Sequence, residues 1–279
     1  AGIAAPLPPE SSLFELSVPL EIRLQAPWKQ LTRGMEPGRS ETAQLSLAKG
    51  GDYGTRLQVR VSTRGLSRLE VCEFPPMTLE FLSEEIGDSP FQGEQTFHLT
   101  PQCRKDLRFR DYLVLEYLSF QAYRLMGVLA LGVRLATVDY LDTDGGKSGQ
   151  PPLAFLVEDL KRLAGRQGVE WLEPESVGAR SLEPVTLAIF GVFEYMLGNT
   201  DWSVLRGPPG EACCHNVGIL SRTETDPQLI PVPFDLDCTG LVDPPYAAPA
   251  AGLPIRTVRQ SVYRGFCESN TYLPGEIAR

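Results

Sequence analysis

Three short stretches of the sequence carry side chains of the kind that bind a metal ion and a phosphate group. The stretches are Asn199–Ser203, His215-Asn216 and Pro233–Gly240. Their acidic and amide residues Asp201, Asn216, Asp235 and Asp237 are flanked by apolar residues. Carboxylate and amide oxygens suit magnesium, and a carboxylate can also orient an attacking hydroxyl group. The three stretches therefore predict one polar site of the metal-phosphate kind.

The elements predicted around these stretches place the polar residues at element ends. Pro184–Leu197 is strongly apolar and predicts a buried helix that ends at Gly198 and delivers Asp201 into a loop. Two short apolar runs at hairpin spacing follow, Val217–Leu220 and Leu229–Phe234. Asn216 would open the first strand and Asp235 would close the second.

Two interpretations of the acidic pair stay open. Residues two apart on a strand share a face, so Asp235 and Asp237 could reach one cation if the strand continued through them. Alternatively, they belong to a turn in which their carboxylates cap backbone N–H groups. Other chemistries fit less well, because the only histidines are His98 and His215 and no Gly-Xaa-Ser-Xaa-Gly elbow accompanies them.

The rest of the chain predicts a sheet followed by helices. Residues 1–12 predict a flexible tail. Short alternating runs predict strands at Leu16–Leu24, Thr42–Leu47, Leu57–Val61, Met77–Leu82 and Thr96–Leu99. A helical period then covers residues 107–131 and contains Glu116, for which exposed and buried positions are equally open. Further elements are predicted at Val133–Leu141, Leu153–Glu158 and Asp159–Gly168. These patterns divide the chain into residues 13–158 and 159–279.

Composition narrows the function classes. The chain has 279 residues, 42% of them hydrophobic, and a formal net charge of -9. Binding of nucleic acid relies on clustered Lys and Arg, and a chain with this negative charge and no long basic run in its sequence is not expected to have a nucleic-acid partner. The most apolar stretch, Leu125–Val138, contains Arg134 and is shorter than the roughly 20 apolar residues of a membrane-spanning helix. We expect no membrane span, and the oligomeric state is open.

Six cysteines leave both redox states open. They are Cys72, Cys103, Cys213, Cys214, Cys238 and Cys267. Cys72 and Cys103 could form a disulfide in an exported protein, or all six could be thiols. Zinc at Cys213-Cys214-His215 is disfavoured, because adjacent cysteines rarely face one metal and no spaced cysteine pair accompanies them.

The order of these motifs resembles the catalytic half of the protein kinase-like fold, in its atypical branch of CotH-type and HipA-type kinases. A group of bacterial CotH-like proteins is similar over most of the chain. The motifs that carry this resemblance are Cys72-Glu73-Phe74-Pro75-Pro76, Gly198–Ser203, Pro233–Asp237 and Tyr263–Cys267. The resemblance implies an α+β, bilobal fold with a small antiparallel-sheet N-lobe, one long helix and a mainly helical C-lobe.

The resemblance also implies roles for individual residues. Asp201 would receive the substrate hydroxyl proton, and Asn216 with Asp235 or Asp237 would hold magnesium or manganese on ATP. Glu116 would belong to the phosphate-binding pair, and Phe155–Asp159, with Glu158, would meet the adenine. The acceptor would be a protein or another hydroxyl compound. Export to the periplasm or the cell exterior is expected, with the cytoplasm as the alternative.

One departure from the family pattern leaves two functions open. The strand before the long helix offers His98 where the family has a lysine for the nucleotide phosphates. An imidazole with an ordinary pKa near 6.5 is mostly neutral at pH 7 and binds phosphate less well. The sequence therefore predicts an ATP-dependent phosphotransferase or, alternatively, a weak or inactive relative that acts as a binding or surface protein.

Overall fold

The structure, a computed structural model, describes residues 12–15, 18–34, 36–49, 52–83, 86, 89–222 and 228–266. The predicted tail, apart from Ser12, and Cys267 lie outside the described residues. The chain divides into two compact units, Ala1–Tyr117 with Gly132–Arg162, and Leu118–Leu131 with Leu163–Arg279. We call them unit 1 and unit 2 and describe each by itself.

Ten strands and six α-helices make up the described elements. The strands are β1 Leu20–Ala26, β2 Ser40–Lys49, β3 Asp52–Thr63, β4 Met77–Phe81, β5 Thr96–Pro101, β6 Val133–Asp142, β7 Leu153–Glu158, β8 Glu170–Leu172, β9 Val217–Ser221 and β10 Leu229–Pro233. The helices are α1 Ser12–Glu15, α2 Trp28–Leu31, α3 Ser67–Val71, α4 Leu107–Leu125, α5 Leu160–Gln167 and α6 Pro184–Leu197. A 3₁₀ turn covers Ala179–Ser181.

Seven strands of unit 1 form a closed barrel in the order β1-β2-β3-β4-β5-β7-β6. All pairs are antiparallel except β1 with β6, which run parallel from the pair Leu20 and Ala136 to the pair Ala26 and Asp142. Alternate apolar residues face inward, as expected for strands with one buried side. Fully buried examples are Ile22, Val59, Leu79, Leu99 and Leu156.

The predicted bilobal kinase-like fold is wrong. The sequence predicted a small antiparallel sheet. In the structure the first and last strands of the sheet, β1 and β6, pair with each other and close it into a mixed barrel. Alternation of apolar residues reveals each strand but carries no information on its distant partner. The second half is not mainly helical either, since its described residues include a three-stranded sheet and long irregular segments. Prolines such as Pro208, Pro209, Pro244 and Pro245 prevent helix formation in those segments.

The long helix is shorter than its sequence pattern indicates. A helical period continues to residue 131, but α4 ends at Leu125 and Gly127 adopts a left-handed φ of 72°. Glycine in this conformation ends helices because it lacks the Cβ that clashes there.

In unit 1, a disulfide joins Cys72 to Cys103. Cys103 lies between the end of β5 and the start of α4.

Unit 2 contains the sheet β10-β9-β8 and the apolar helix α6. The Glu183 carboxylate caps the start of α6 by accepting hydrogen bonds from Val185 N and Thr186 N, and Pro184 occupies the first turn. Gly198 ends the helix with a φ of 67°. These end signals explain why the helix has the bounds that the sequence predicted.

Candidate functional site

The loop after α6 is held by hydrogen bonds to the side-chain and backbone oxygens of Asn199. Asn199 is buried, and its Oδ1 accepts a hydrogen bond of 2.9 Å from Asp201 N. Its carbonyl oxygen accepts one of 3.2 Å from Trp202 Nε1, and the Trp202 indole packs edge-on against Phe190 of α6 at 5.0 Å. With Trp202 buried on one side, the Asp201 side chain stays partly exposed.

Asp201, His215 and Asn216 form one hydrogen-bonded cluster. His215 Nε2 lies 2.8 Å from Asp201 Oδ1, and Asn216 Nδ2 donates to Asp201 Oδ2 at 3.1 Å and to the Asp201 carbonyl oxygen at 2.7 Å. Backbone bonds between Ser203 and His215, both 3.0 Å, align the two segments. The sequence therefore predicted correctly that Asp201 and Asn216 come together.

Backbone geometry turns Asn216 toward this cluster. Its φ is 55°, a left-handed conformation that asparagine adopts more readily than most residues. Its carbonyl oxygen accepts a hydrogen bond of 3.2 Å from Phe234 N, which brings the segment after β10 alongside. Because Asn216 Nδ2 is used on Asp201, its Oδ1 is the atom that can bind a cation.

Asp235 and Asp237 follow β10 and do not lie within it, because the strand ends at Pro233. The interpretation in which a continuing strand puts both on one face is therefore wrong. Asp235 is partly exposed and Asp237 is buried. Burial, together with the negative charges of Asp237, Asp235 and Asp201, raises the pKa of the Cys238 thiol. The charges of Asp201, Asp235 and Asp237 therefore all influence the Cys238 thiol of unit 2.

Two of these carboxylates, Asp201 and Asp235, also act on His215. Its pKa lies above the ordinary value, chiefly because it hydrogen-bonds Asp201, with added attraction from Asp201, Asp235 and Glu211. Burial works in the opposite direction. The raised pKa extends the pH range in which a positive imidazole faces the Asp201 carboxylate.

Arg264 follows the acidic segment in the chain and hydrogen-bonds the backbone of the loop that carries Asp201. Its Nη1 donates to the carbonyl oxygens of Thr200 and Trp202, the latter at 2.9 Å, and its guanidinium lies 4.9 Å from the Trp202 ring. By residue type alone, Arg264 cannot be told from the other arginines of the sequence. Only its position after a Tyr in the late motif could have marked it.

A buried acid lies beneath the loop. Glu194 on α6 is buried, neither of its carboxylate oxygens has a hydrogen-bond partner, and burial raises its pKa to about 8, although the nearby Asn199 amide and the charge of Arg264 lower it in part. Sequence reasoning missed Glu194 because it interrupts an otherwise apolar helix face at a single position.

Two glycines allow the loop and the acidic segment to approach. Gly240 N donates to the Gly198 carbonyl oxygen at 3.3 Å. A Cβ at Gly240 would collide with the Val258 carbonyl oxygen, and one at Gly198 would lie 3.0 Å from the same atom. The backbones of three chain-distant segments therefore meet where side chains would separate them.

The nucleotide-binding residues predicted in unit 1 have structural partners there. Glu116 is buried and pairs with Arg68, whose Nη2 lies 2.6 Å from Glu116 Oε1. The Glu158 carboxylate accepts a hydrogen bond of 2.8 Å from Gly132 N. Of the two positions left open for Glu116, the buried one is therefore observed, with an arginine as its partner.

His98 is a neutral imidazole whose side chain is 15% exposed. Its Nδ1 lies 3.1 Å from Thr78 Oγ1 and its Nε2 lies 3.4 Å from Asp159 Oδ2. Burial, reinforced by the charge of Arg64, lowers its pKa to about 4 despite the attraction of Asp159. At neutral pH His98 therefore supplies no positive charge to a phosphate group.

Two observations limit the metal chemistry. Cys213 and Cys214 form a disulfide, so neither thiolate is available to zinc. Within the described part of the chain, no group of three or more His, Cys, Asp or Glu residues is arranged to hold a metal ion. A cation at Asn216 and Asp235 would therefore need ligands from substrate and water.

Comparison with protein-family models and with curated protein sequences returns no match to this chain. In the described residues, no helix combines the length and apolar character needed to cross a membrane.

Proposed function

We propose that this protein is an ATP-dependent phosphotransferase that modifies a hydroxyl group of a protein or small molecule. The observation that carries the proposal is the cluster of Asp201, His215 and Asn216, with the charges of Asp235 and Asp237 acting on the same region. Phosphoryl transfer requires mainly positioning and charge stabilisation. These residues supply the carboxylates and the amide oxygen that such a reaction uses.

Asp201 is the proposed acceptor of the hydroxyl proton. Its carboxylate is partly exposed and held on one side by His215 and Asn216, so an incoming hydroxyl would meet an oriented acceptor. Arg264 and Asn199 position the loop through its backbone. When His215 is neutral, the Asp201 carboxylate can accept the proton of the substrate hydroxyl. When His215 is protonated, it forms an ion pair with that carboxylate and makes it a weaker proton acceptor.

Asn216 Oδ1 and Asp235, with Asp237 as a further carboxylate, are the proposed magnesium ligands. Magnesium in such enzymes is usually held by one or two protein oxygens, with substrate phosphates and water completing six ligands. The small donor set fits this pattern, and three carboxylates acting on Cys238 create the negative potential that attracts a cation. When bound, magnesium would neutralise charge on the transferred phosphate group.

A second candidate function is a binding protein without phosphotransfer activity. The observation that favours it is His98, a neutral imidazole where the kinases that the motif order resembles have a lysine. Nucleotide binding without transfer would be the expected behaviour.

We also propose that the protein works in an oxidising compartment, such as the periplasm or the cell exterior. The disulfides Cys72–Cys103 and Cys213–Cys214 support this, because such bonds persist outside the reducing cytosol. Mass determination with and without reduction, on protein isolated under thiol-blocking conditions, tests the proposal. Four blocked thiols at these positions in the native protein would contradict it.

Thermal unfolding with ATP and magnesium tests the main proposal. We expect a rise in Tm that is lost on Asp235→Ala and retained on Glu175→Ala, an exposed acid in the same unit. Transfer of labelled phosphate from ATP then separates the two candidates, and Asp201→Asn should abolish transfer while keeping the Tm rise. A Tm rise without transfer in the unmodified protein favours the binding protein. Absence of a Tm rise at any concentration overturns both.

A further inference from the structure

Glu194 is a buried acid that the proposed reaction does not use. It lies on α6, is 2% exposed, and has no hydrogen-bond partner at either carboxylate oxygen. Buried polar groups are normally hydrogen-bonded, so a carboxyl group without a partner needs a physical reason. Burial of an ionised carboxylate without a partner is costly, whereas a protonated acid carries no charge. The observed arrangement therefore suits the protonated form of Glu194.

Two groups that favour the charged form of Glu194 also hold the loop that carries Asp201. These groups are the Asn199 amide and the Arg264 guanidinium. Tyr123 of α4 faces the same carboxyl group, and burial together with the Glu194 charge raises the pKa of its hydroxyl. That hydroxyl donates to a carbonyl oxygen of β10. An ionised Glu194 would therefore attract the amide and the guanidinium that now serve the loop.

Asn199 and Arg264 both fix the backbone of this loop. Asn199 Oδ1 accepts a hydrogen bond of 2.9 Å from Asp201 N, and Asn199 N donates to the Glu194 carbonyl oxygen at 2.8 Å. Arg264 Nη1 donates to the Trp202 carbonyl oxygen at 2.9 Å. The charges of Asp201 and Glu194 both act on the Arg264 guanidinium. One guanidinium is therefore attracted by a carboxylate on the loop and by the acid buried on α6.

From this arrangement we propose that Glu194 is a proton-linked positioning residue for the Asp201 loop. Its protonated form leaves Asn199 and Arg264 to hold the loop, and its ionised form draws these two side chains away, because a buried charge needs a partner. Burial raises the pKa of Glu194 to about 8, which sets this change just above neutral pH. The consequence for phosphate transfer rests on the proposed function, whereas the change in the loop does not.

The indole N–H of Trp202 reports on the loop in the absence of any substrate. It donates to the Asn199 carbonyl oxygen at 3.2 Å, and the Trp202 ring lies 4.9 Å from the Arg264 guanidinium. NMR spectra of protein with isotope-labelled tryptophan, recorded on both sides of pH 8 and assigned with Trp202→Phe, follow this signal. We expect the Trp202 signal to shift with a midpoint near pH 8, the pKa of Glu194.

Two matched variants identify the acid responsible. Glu194→Gln keeps a neutral side chain of the same shape and should remove the step near pH 8. Glu175→Gln changes an exposed acid of the same unit and should retain it. His215 titrates in both variants, so it does not account for a difference between them. Carboxyl-carbon NMR of the unmodified protein, which does not depend on folding of a variant, should show a glutamate with the same midpoint as Trp202.

The rate of phosphate transfer should follow the same step. Between pH 7 and pH 9 we expect a fall of about tenfold, because the protonated fraction of an acid with a pKa of about 8 falls by that factor. This fall should be absent in Glu194→Gln. Absence of transfer at every pH counts against the phosphotransferase and leaves the Trp202 signal to decide the role of Glu194. That role is overturned if the signal does not shift near pH 8, or if it shifts equally in Glu194→Gln.

Discussion

The imidazole Nε2 of His215 lies 2.8 Å from Asp201 Oδ1, although 14 positions separate the two residues in the chain. This pair connects the loop after α6 to the start of β9. It also links the protonation of the only histidine in unit 2 to the carboxylate that we propose as a proton acceptor.

Titration of the two histidines by NMR should give widely separated pKa values. We expect His98 to titrate at about 4, because its desolvation and the charge of Arg64 disfavour the protonated form, and His215 to titrate above its ordinary pKa, because Asp201 favours its charged form. Asp201→Asn should lower the pKa of His215 and leave that of His98 unchanged. Two pKa values near 6.5 in the unmodified protein would contradict the described environments.

The buried acid Glu194 should make stability depend on pH. In the folded protein its pKa is about 8, against an ordinary 4.5, so the folded state retains a proton that the unfolded chain loses. This contribution is fully present below about pH 4.5 and is lost as the pH rises through about 8, on the order of 5 kcal/mol. Urea unfolding across this range measures it, and Glu194→Gln should flatten that part of the profile. Equal slopes for both proteins would refute the assignment.

Breaking the buried ion pair of unit 1 should be costly. Arg68→Met leaves the buried Glu116 charge without this arginine, and Glu116→Gln leaves the buried Arg68 charge without this carboxylate; we expect a loss of about 3 kcal/mol for Arg68→Met. The double variant Arg68→Met with Glu116→Gln should cost less than the sum of the two. Denaturant unfolding of all four proteins gives the coupling energy, and Arg60→Met, in an exposed pair with Glu80, is the control. Strict additivity would show that the pair does not interact.

A methyl group at Gly240 should destabilise unit 2. Gly240→Ala places a Cβ against the Val258 carbonyl oxygen, so the two backbones must separate, and we expect a loss of about 2 kcal/mol or more. Gly165→Ala is the matched control, because no atom lies within 4 Å of its Cβ position and it lies in α5. That change should be neutral or stabilising. Equal Tm values for both variants would show that the contact at Gly240 is not tight.

Arg264 should act on the site by positioning. Arg264→Lys keeps a positive charge but cannot reproduce the guanidinium that reaches two carbonyl oxygens and stacks on Trp202. We expect both Arg264→Lys and Arg264→Ala to lower phosphate transfer at least tenfold while ATP binding changes little. Full activity in Arg264→Lys would mean that charge alone matters.

Local signals in the sequence defined single elements well. The limits of α6 follow from Pro184 and Gly198, and β7 follows from one short apolar run. Partner choice is not local: parallel pairing of β1 with β6 depends on residues more than 100 positions apart, and alternation within a strand cannot specify it. For this reason the seven strands of the barrel were predicted from the sequence and its closure was not.

The same distinction holds for the site. Asp201 and Asn216 occupy element ends next to apolar runs, and this local pattern was enough to group them. Glu194 and Arg264 take part through burial and backbone contacts that have no sequence period. Proline ends β10 one residue before Phe234, which moves Asp235 and Asp237 out of the strand.

Closure of the barrel has a kinetic consequence. β1 pairs with β6 across 116 positions, as in the contact of Arg23 with Asp139, so β1 has an unpaired edge until β6 has been synthesised and folded. Pairing of distant strands requires closure of a long loop, and the conformational entropy of that loop is lost before the contacts that compensate the loss have formed. Folding is slower for this reason. During synthesis, the edge of β1 is therefore a place where neighbouring chains can associate, and it stays exposed until residue 142 has emerged.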